Sequence, residues 1–213
     1  FGFLFFLGLS TLMLKYLVIL GAIVQILGIA DYVKATFKGK TKPNRVSWLF
    51  WAVSTLMGSI AAWSNNAGWA ALPVFSAGLA SLLVFIASCF NKQSYWKLGK
   101  FDYTCGFFAF LGLLLWWISK NPSLAILFGI LGDLFASIPT LRKSWTNPNT
   151  ESKPVFWAGL FSAGTSFFAI SQVAYVNLAF PIYLFMINGI TLIFLYKSSI
   201  LNRPYKITNH QKP

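Results

Sequence analysis

The sequence predicts an all-α integral membrane protein: seven transmembrane helices, arranged as two parallel triple-helix bundles joined by a linker helix. Three observations carry this expectation. The chain of 213 residues is 57% hydrophobic and 10% charged, against roughly 25% charged in a soluble domain, and its mean hydropathy is +0.66. Apolar segments near the roughly 20 residues needed to cross a hydrocarbon core recur along its length. The connections between them alternate between strongly basic and nearly neutral, and all but Lys15 and Lys120 of the 17 Lys and Arg residues fall on one side. This positive-inside pattern places the N-terminus outside and the C-terminus in the cytoplasm, in a plasma or inner membrane. The net charge of +13 would point to nucleic acid in a soluble chain. Here it orients the chain and meets anionic headgroups, so the expected partner is the lipid bilayer and no nucleic acid.

Residues 1–15 form an apolar N-terminal extension. As helix, its first 14 residues would cover only ~21 Å, too short to cross. They are expected either to lengthen the first helix outward or to be the end of a further span. A signal peptide is disfavoured, because a charged n-region and a small-residue cleavage site are absent. The first bundle covers residues 16–90. Its first span, 16–36, starts after Lys15 and ends at Lys34, before a loop with Lys38, Lys40 and Lys42. The second, 46–63, opens after Pro43, a residue suited to helix starts, and leads through a neutral turn to the third, 70–90. Residues 91–120 form a cytoplasmic loop with Lys92, Lys97 and Lys100, then the linker helix 101–119, with Asp102 read as its N-cap. The second bundle, 121–200, repeats the plan with spans 122–141, 154–173 and 178–198, opening at Pro122 and Pro154. A basic cytoplasmic tail occupies 201–213. Trp48, Trp51, Trp63, Trp69, Trp96, Trp116, Trp117 and Trp145 fall near predicted span ends, where an aromatic belt is the default reading.

The two outer thirds resemble each other. A shift of 108 residues superposes Gly21 on Gly129, Lys34 on Arg142, Arg45 on Lys153, Ser54 on Ser162 and Pro73 on Pro181. In the loops a shift of 105 pairs Lys38 with Lys143, Thr41 with Thr146, Pro43 with Pro148 and Asn44 with Asn149. Three helices are an odd number, so adjacent copies would face opposite ways, and the fourth span restores the orientation. The result is a parallel repeat about an axis along the membrane normal, a plan of small transporters.

With this plan, the chain resembles the SWEET and PQ-loop superfamily of small membrane transporters, as a divergent branch. Ile138-Pro139-Thr140-Leu141-Arg142-Lys143 stands where that family carries its Pro-Gln pair, and Asn188, in Met186-Ile187-Asn188-Gly189, matches its substrate-facing Asn. Asp31-Tyr32 and Ala80 occupy the equivalent places in the first repeat, and prolines inside the second helices are absent. The resemblance implies solute transport, flexing near Pro139 and Thr140, and a functional Asp on the fifth helix.

Asp133, nine residues before Arg142 in span five, is the leading site candidate. A charged side chain at that depth costs ~2.5 kcal/mol or more, so it should face the interior as a substrate anchor, a proton carrier or a structural carboxyl. Gln25 is its mate at the 108 shift. Gln25 and Asn188 are read as solute ligands or as interhelical hydrogen bonds. Ser54 and Ser162 are read as small packing residues or solute contacts, and Trp51 and Trp157 as belt residues or stacking platforms. Asp31, three residues before Lys34, is read as an interface ion pair or a gate. Cys89 and Cys105 should be free thiols. With His210 as the single histidine, no metal, cofactor or catalytic constellation is expected. The expectation is therefore a non-enzymatic transporter of a small polar solute working by alternating access, with protons as a candidate coupling ion and a homo-oligomer left open. The alternative is a non-transporting receptor or assembly protein on the same fold.

Overall fold

Apolar runs without interior breakers favour the state that satisfies every backbone donor within the segment, which is the helix. A computed structural model describes residues 2–64, 66–91, 96–119, 121–169 and 174–200. In these residues the chain forms α1 (Gly2–Phe37), α2 (Arg45–Ser64), α3 (Leu72–Phe90), α4 (Lys100–Ile118), α5 (Pro122–Thr146), α6 (Lys153–Ala169) and α7 (Tyr175–Ile200). A single turn of 3-10 helix, Gly68–Ala71, leads into α3. Residues 2–15 continue α1 as helix without a break. The expected basic tail at 201–213, Lys92 and Lys120 lie outside the described residues.

Among the described residues, five segments are long and apolar enough to cross a membrane: Tyr16–Phe37, Arg45–Ser64, Gly68–Phe90, Lys100–Ile118 and Asn177–Lys197. The two helices outside that set have buried polar faces, with Asp133, Ser137, Thr140 and Ser144 on α5 and Ser162, Thr165 and Ser166 on α6. Polarity is inverted relative to a water-soluble protein. Leu27, Phe107 and Ile193 are each more than 60% exposed, while these hydroxyls and Asp133 are buried. An apolar exterior over a polar interior suits a lipid solvent.

α3 packs against both α1 and α2, and α7 against both α5 and α6. Across the middle, α1 lies against α6 and α2 against α5, while α4 packs mainly on α5. The α4–α5 contact is backbone on backbone: a Cβ on Gly112 would stand 2.7 Å from Gly132 Cα, and one on Gly132 would stand 3.0 Å from the Ala109 carbonyl. Small residues let helices approach where no hydrophobic drive exists between them.

At the end bearing the basic loops, Asn44 caps α2. Its Oδ1 accepts from the Val46 and Ser47 amides, and its Nδ2 donates to Asp102 Oδ1 at 2.7 Å. Asp102 is not the N-cap expected from the sequence. It is the third residue of α4, and its Oδ2 accepts from the Gly99 amide at 2.7 Å, the reach-back geometry of a capping box. The loop after α1 turns at Gly39, in the left-handed region at φ 70°, and pairs with the α5–α6 loop through Lys42 N donating to Thr150 O at 2.9 Å. Trp48 is also not a belt residue. It is buried, with ring centroids 4.9 Å from Tyr32 and 5.1 Å from Trp51. Cys89 and Cys105 are both free, the first exposed and the second buried.

Candidate functional site

A cavity of about 60 Å³ lies among α1, α2, α3, α5, α6 and α7. One water needs about 10–15 Å³ on such a measure, so the space holds several. Gln25, Trp51, Asp133 and Asn188 all line it, together with Trp48, Thr55, Ala80, Ser81 and Phe156. Four of the expected site residues thus meet in one place. Three lining pairs are 108 positions apart: Gln25 and Asp133, Trp48 and Phe156, Ala80 and Asn188.

Asp133 is 1% exposed and held by two hydroxyls from other helices. Ser54 on α2 donates to Oδ1, and Tyr183 on α7 donates to Oδ2 at 2.7 Å. Ser137, one turn along α5, donates to the Asp133 backbone carbonyl at 2.8 Å and not to the carboxyl. Its Oγ accepts from Trp51 Nε1 at 2.8 Å and lies 3.1 Å from the Tyr183 hydroxyl. Trp51 therefore points inward as part of the site, and the belt reading fails for it. The network Trp51–Ser137–Tyr183–Asp133–Ser54 ties α2, α5 and α7 together around the carboxyl.

The other two polar liners differ in how they are satisfied. Asn188 Nδ2 donates to the Leu184 carbonyl of its own helix at 2.8 Å. Its Oδ1 sits over Gly159, where an added Cβ would be only 2.5 Å away. Gln25 is buried, and its Oε1 has no hydrogen-bond partner among the described residues. An acceptor left unpaired in a closed interior costs about 1–3 kcal/mol, so Gln25 holds unused capacity beside the cavity.

Other expected residues lie elsewhere. Ser162 is buried but does not line the cavity. Trp157 is 51% exposed, with Nε1 3.3 Å from the Tyr196 hydroxyl, so it faces outward and is no stacking platform. Asp31 is exposed and accepts from Ser152 Oγ at 3.2 Å in place of pairing with Lys34. Pro139 lies inside α5, where its ring removes one helix hydrogen bond, and Thr140 beside it is buried.

The residues that sequence reasoning missed sit at the basic end. Lys143, about 15 Å along α5 from Asp133 by helical rise, forms an ion pair with Glu151 at 2.5 Å and also donates to the Lys42 carbonyl. Tyr32 on α1 donates to Glu151 Oε2 at 2.5 Å. All three side chains are buried. Burial pushes the Lys143 ammonium below its ordinary value, opposed by Glu151 and Asp102. Among the described residues this is the one ion pair, and it joins α1 and its following loop to α5 and the α5–α6 loop. Toward the opposite end, Phe180 packs with Val74, Ile126, Ala163 and Leu184. The cavity thus lies between an ionic cluster and an apolar one. The signal for the ionic cluster was available: Glu151 is one of four acidic residues in the chain, and it lies in a basic loop. Among the described residues, no three His, Cys, Asp or Glu side chains gather as a metal site would require. No protein-family model, curated protein or solved structure matches the chain.

Proposed function

We propose that this protein crosses the membrane seven times, as two parallel triple-helix units joined by α4, and carries a small polar solute by alternating access through the cavity at Asp133. The observation that carries the reading is the convergence of Gln25, Asp133 and Asn188, from three helices, on one cavity in an otherwise apolar body. Polar groups at apolar depth need partners or a ligand, and Gln25 Oε1 has spare acceptor capacity. The helix contacts support the repeat: with α4 set aside, exchanging α1, α2 and α3 for α5, α6 and α7 returns the same set of pairings among these six helices, and three lining pairs obey the 108 shift. The plan, with Pro139-Thr140 at its place on α5, is that of a divergent SWEET or PQ-loop transporter.

Under this reading the basic loops face the cytoplasm. The Tyr32–Glu151–Lys143 cluster is then a cytoplasmic closure between the two units, and Phe180 with its neighbours is the outer one. Two discrete packings of the units would expose the cavity to each side in turn. Asp133 would anchor the solute or carry a coupling proton.

A thermal-shift screen of purified protein against sugars, amino acids, vitamins and nucleosides tests the site. A compound that raises the melting temperature of wild type but not of Asp133→Asn supports it, and counterflow of that compound in proteoliposomes supports transport. Equal stabilisation of both proteins would place binding elsewhere. Binding without any flux would favour a non-transporting receptor.

A further inference from the structure

A second, wider cavity opens at the basic end, and nothing in the transport reading uses it. It measures about 560 Å³ and lies between the start of α4 and the end of α5. Lys97, Lys100 and Arg142 contribute three cations to its wall, all exposed. Lys143 also lines it, but its ammonium is committed to Glu151. The one acidic liner, Asp102, has both carboxylate oxygens engaged, by the Asn44 side chain and the Gly99 amide. The basic residues are therefore in excess, and among the described residues no carboxylate pairs with Lys97, Lys100 or Arg142.

The rest of the wall is apolar and aromatic. Trp96, Leu98 and Phe101 line the same cavity. The Arg142 guanidinium stacks 4.7 Å from the Phe101 ring centroid, which holds it at the mouth. Phe101 begins an outward-facing series on α4, with Phe108 and Leu115 also exposed at intervals of seven residues. A ligand with its anionic group among Lys97, Lys100 and Arg142 would have an apolar helix face leading away from it.

We infer that this cleft binds the phosphate headgroup of an anionic phospholipid, with the acyl chains lying along the exposed face of α4. Basic pockets between helices at the positively charged membrane face suit such headgroups, and Arg adds the bidentate geometry that phosphate oxygens accept. A free phosphate satisfies the cations equally well. It makes no use of the flanking apolar helix face, which favours the lipid. The inference rests on the chain being inserted in a bilayer, and not on transport.

Native mass spectrometry of the full chain, released from detergent after mixing with phosphatidylglycerol or phosphatidylcholine, tests it. Retention of phosphatidylglycerol at least tenfold over phosphatidylcholine is expected. The Lys97→Gln/Lys100→Gln/Arg142→Gln variant should lose that preference, whereas Lys34→Gln/Lys38→Gln/Lys40→Gln, with the same charge removed at the same end, should keep it. Both variants must elute as wild type on size exclusion. Equal loss in the two variants would mean a diffuse charge effect and would overturn the site. Displacement of the lipid by millimolar inorganic phosphate would assign the cleft to free phosphate and overturn the lipid. Alkaline extraction of wild type from membranes separates the failures: protein released by carbonate refutes insertion itself, while retained protein without lipid preference refutes only the cleft.

Discussion

At the scale of single residues, a carboxyl is tolerated in an apolar body only where partners satisfy it. Asp133 is held by Ser54 and Tyr183 and borders the cavity. Asp133→Asn keeps the shape and one acceptor and removes the charge, so the protein should fold. We expect solute affinity to fall at least tenfold, about 1.4 kcal/mol, as read by the shift in melting temperature with ligand. If a proton is the coupling ion, an imposed proton gradient should drive uptake in wild type and fail to drive it in the variant. Trp51→Phe removes the donor to Ser137 while keeping an aromatic ring, and should cost about 1 kcal/mol in chemical denaturation. Asp133, Gln25 and Asn188 were legible in the sequence because a polar residue in an apolar run must face inward. Trp51 and Trp157 were not separable, since a tryptophan near a span end suits belt and interior alike. Rotation about the helix decides between them, and it is set by neighbours that the sequence does not reveal locally.

At the scale of elements, close approach and terminal ion pairing make the claims. Gly159→Ala would push a Cβ into Asn188 Oδ1. It should displace the amide and weaken solute binding while changing stability by about 1–3 kcal/mol, the usual cost of overpacking. Gly112→Leu should destabilise more, because the obstruction is backbone of α5 and cannot rotate away. At the basic end, Glu151→Gln leaves Lys143 buried without its charge partner, a change that costs about 3–5 kcal/mol in buried pairs. Lys143→Met/Glu151→Leu should recover most of that stability. If the single and double variants melt alike, the pair is not coupled and the closure loses its basis. Helix existence was plain from the apolar runs. The pair itself was hidden, because its partners are separated in sequence by a Pro-Asn turn and looked like ordinary loop charges. Asp102 was legible as a capping residue, yet its position within the first turn depended on where Gly99 ended the loop.

At the scale of the whole molecule, the charge pattern and the repeat are the foundations. Single cysteines at Lys38 and Asn66, in a background lacking Cys89 and Cys105, test orientation. Position 66 should react with an impermeant reagent in intact cells, and position 38 only after permeabilisation. The reverse pattern would invert the topology. The contacts of α3 with α1 and α2 have counterparts in those of α7 with α5 and α6, which is the observation behind the proposed repeat, and few identities carry the 108 shift. α5 and α6 each interleave polar side chains with apolar ones. Their polar faces turn inward, so neighbouring helices and not lipid must satisfy them, which composition averaged over a window cannot express.

The central claim, that one cavity is reached from both sides of the membrane, does not require a known solute. Ser81 lines the cavity from α3, and Ser81→Cys is nearly isosteric. In vesicles of defined sidedness, with Cys89 and Cys105 removed, a membrane-impermeant cationic methanethiosulfonate should modify position 81 from either side. Modification from one side alone, or from neither, would contradict alternating access at this cavity.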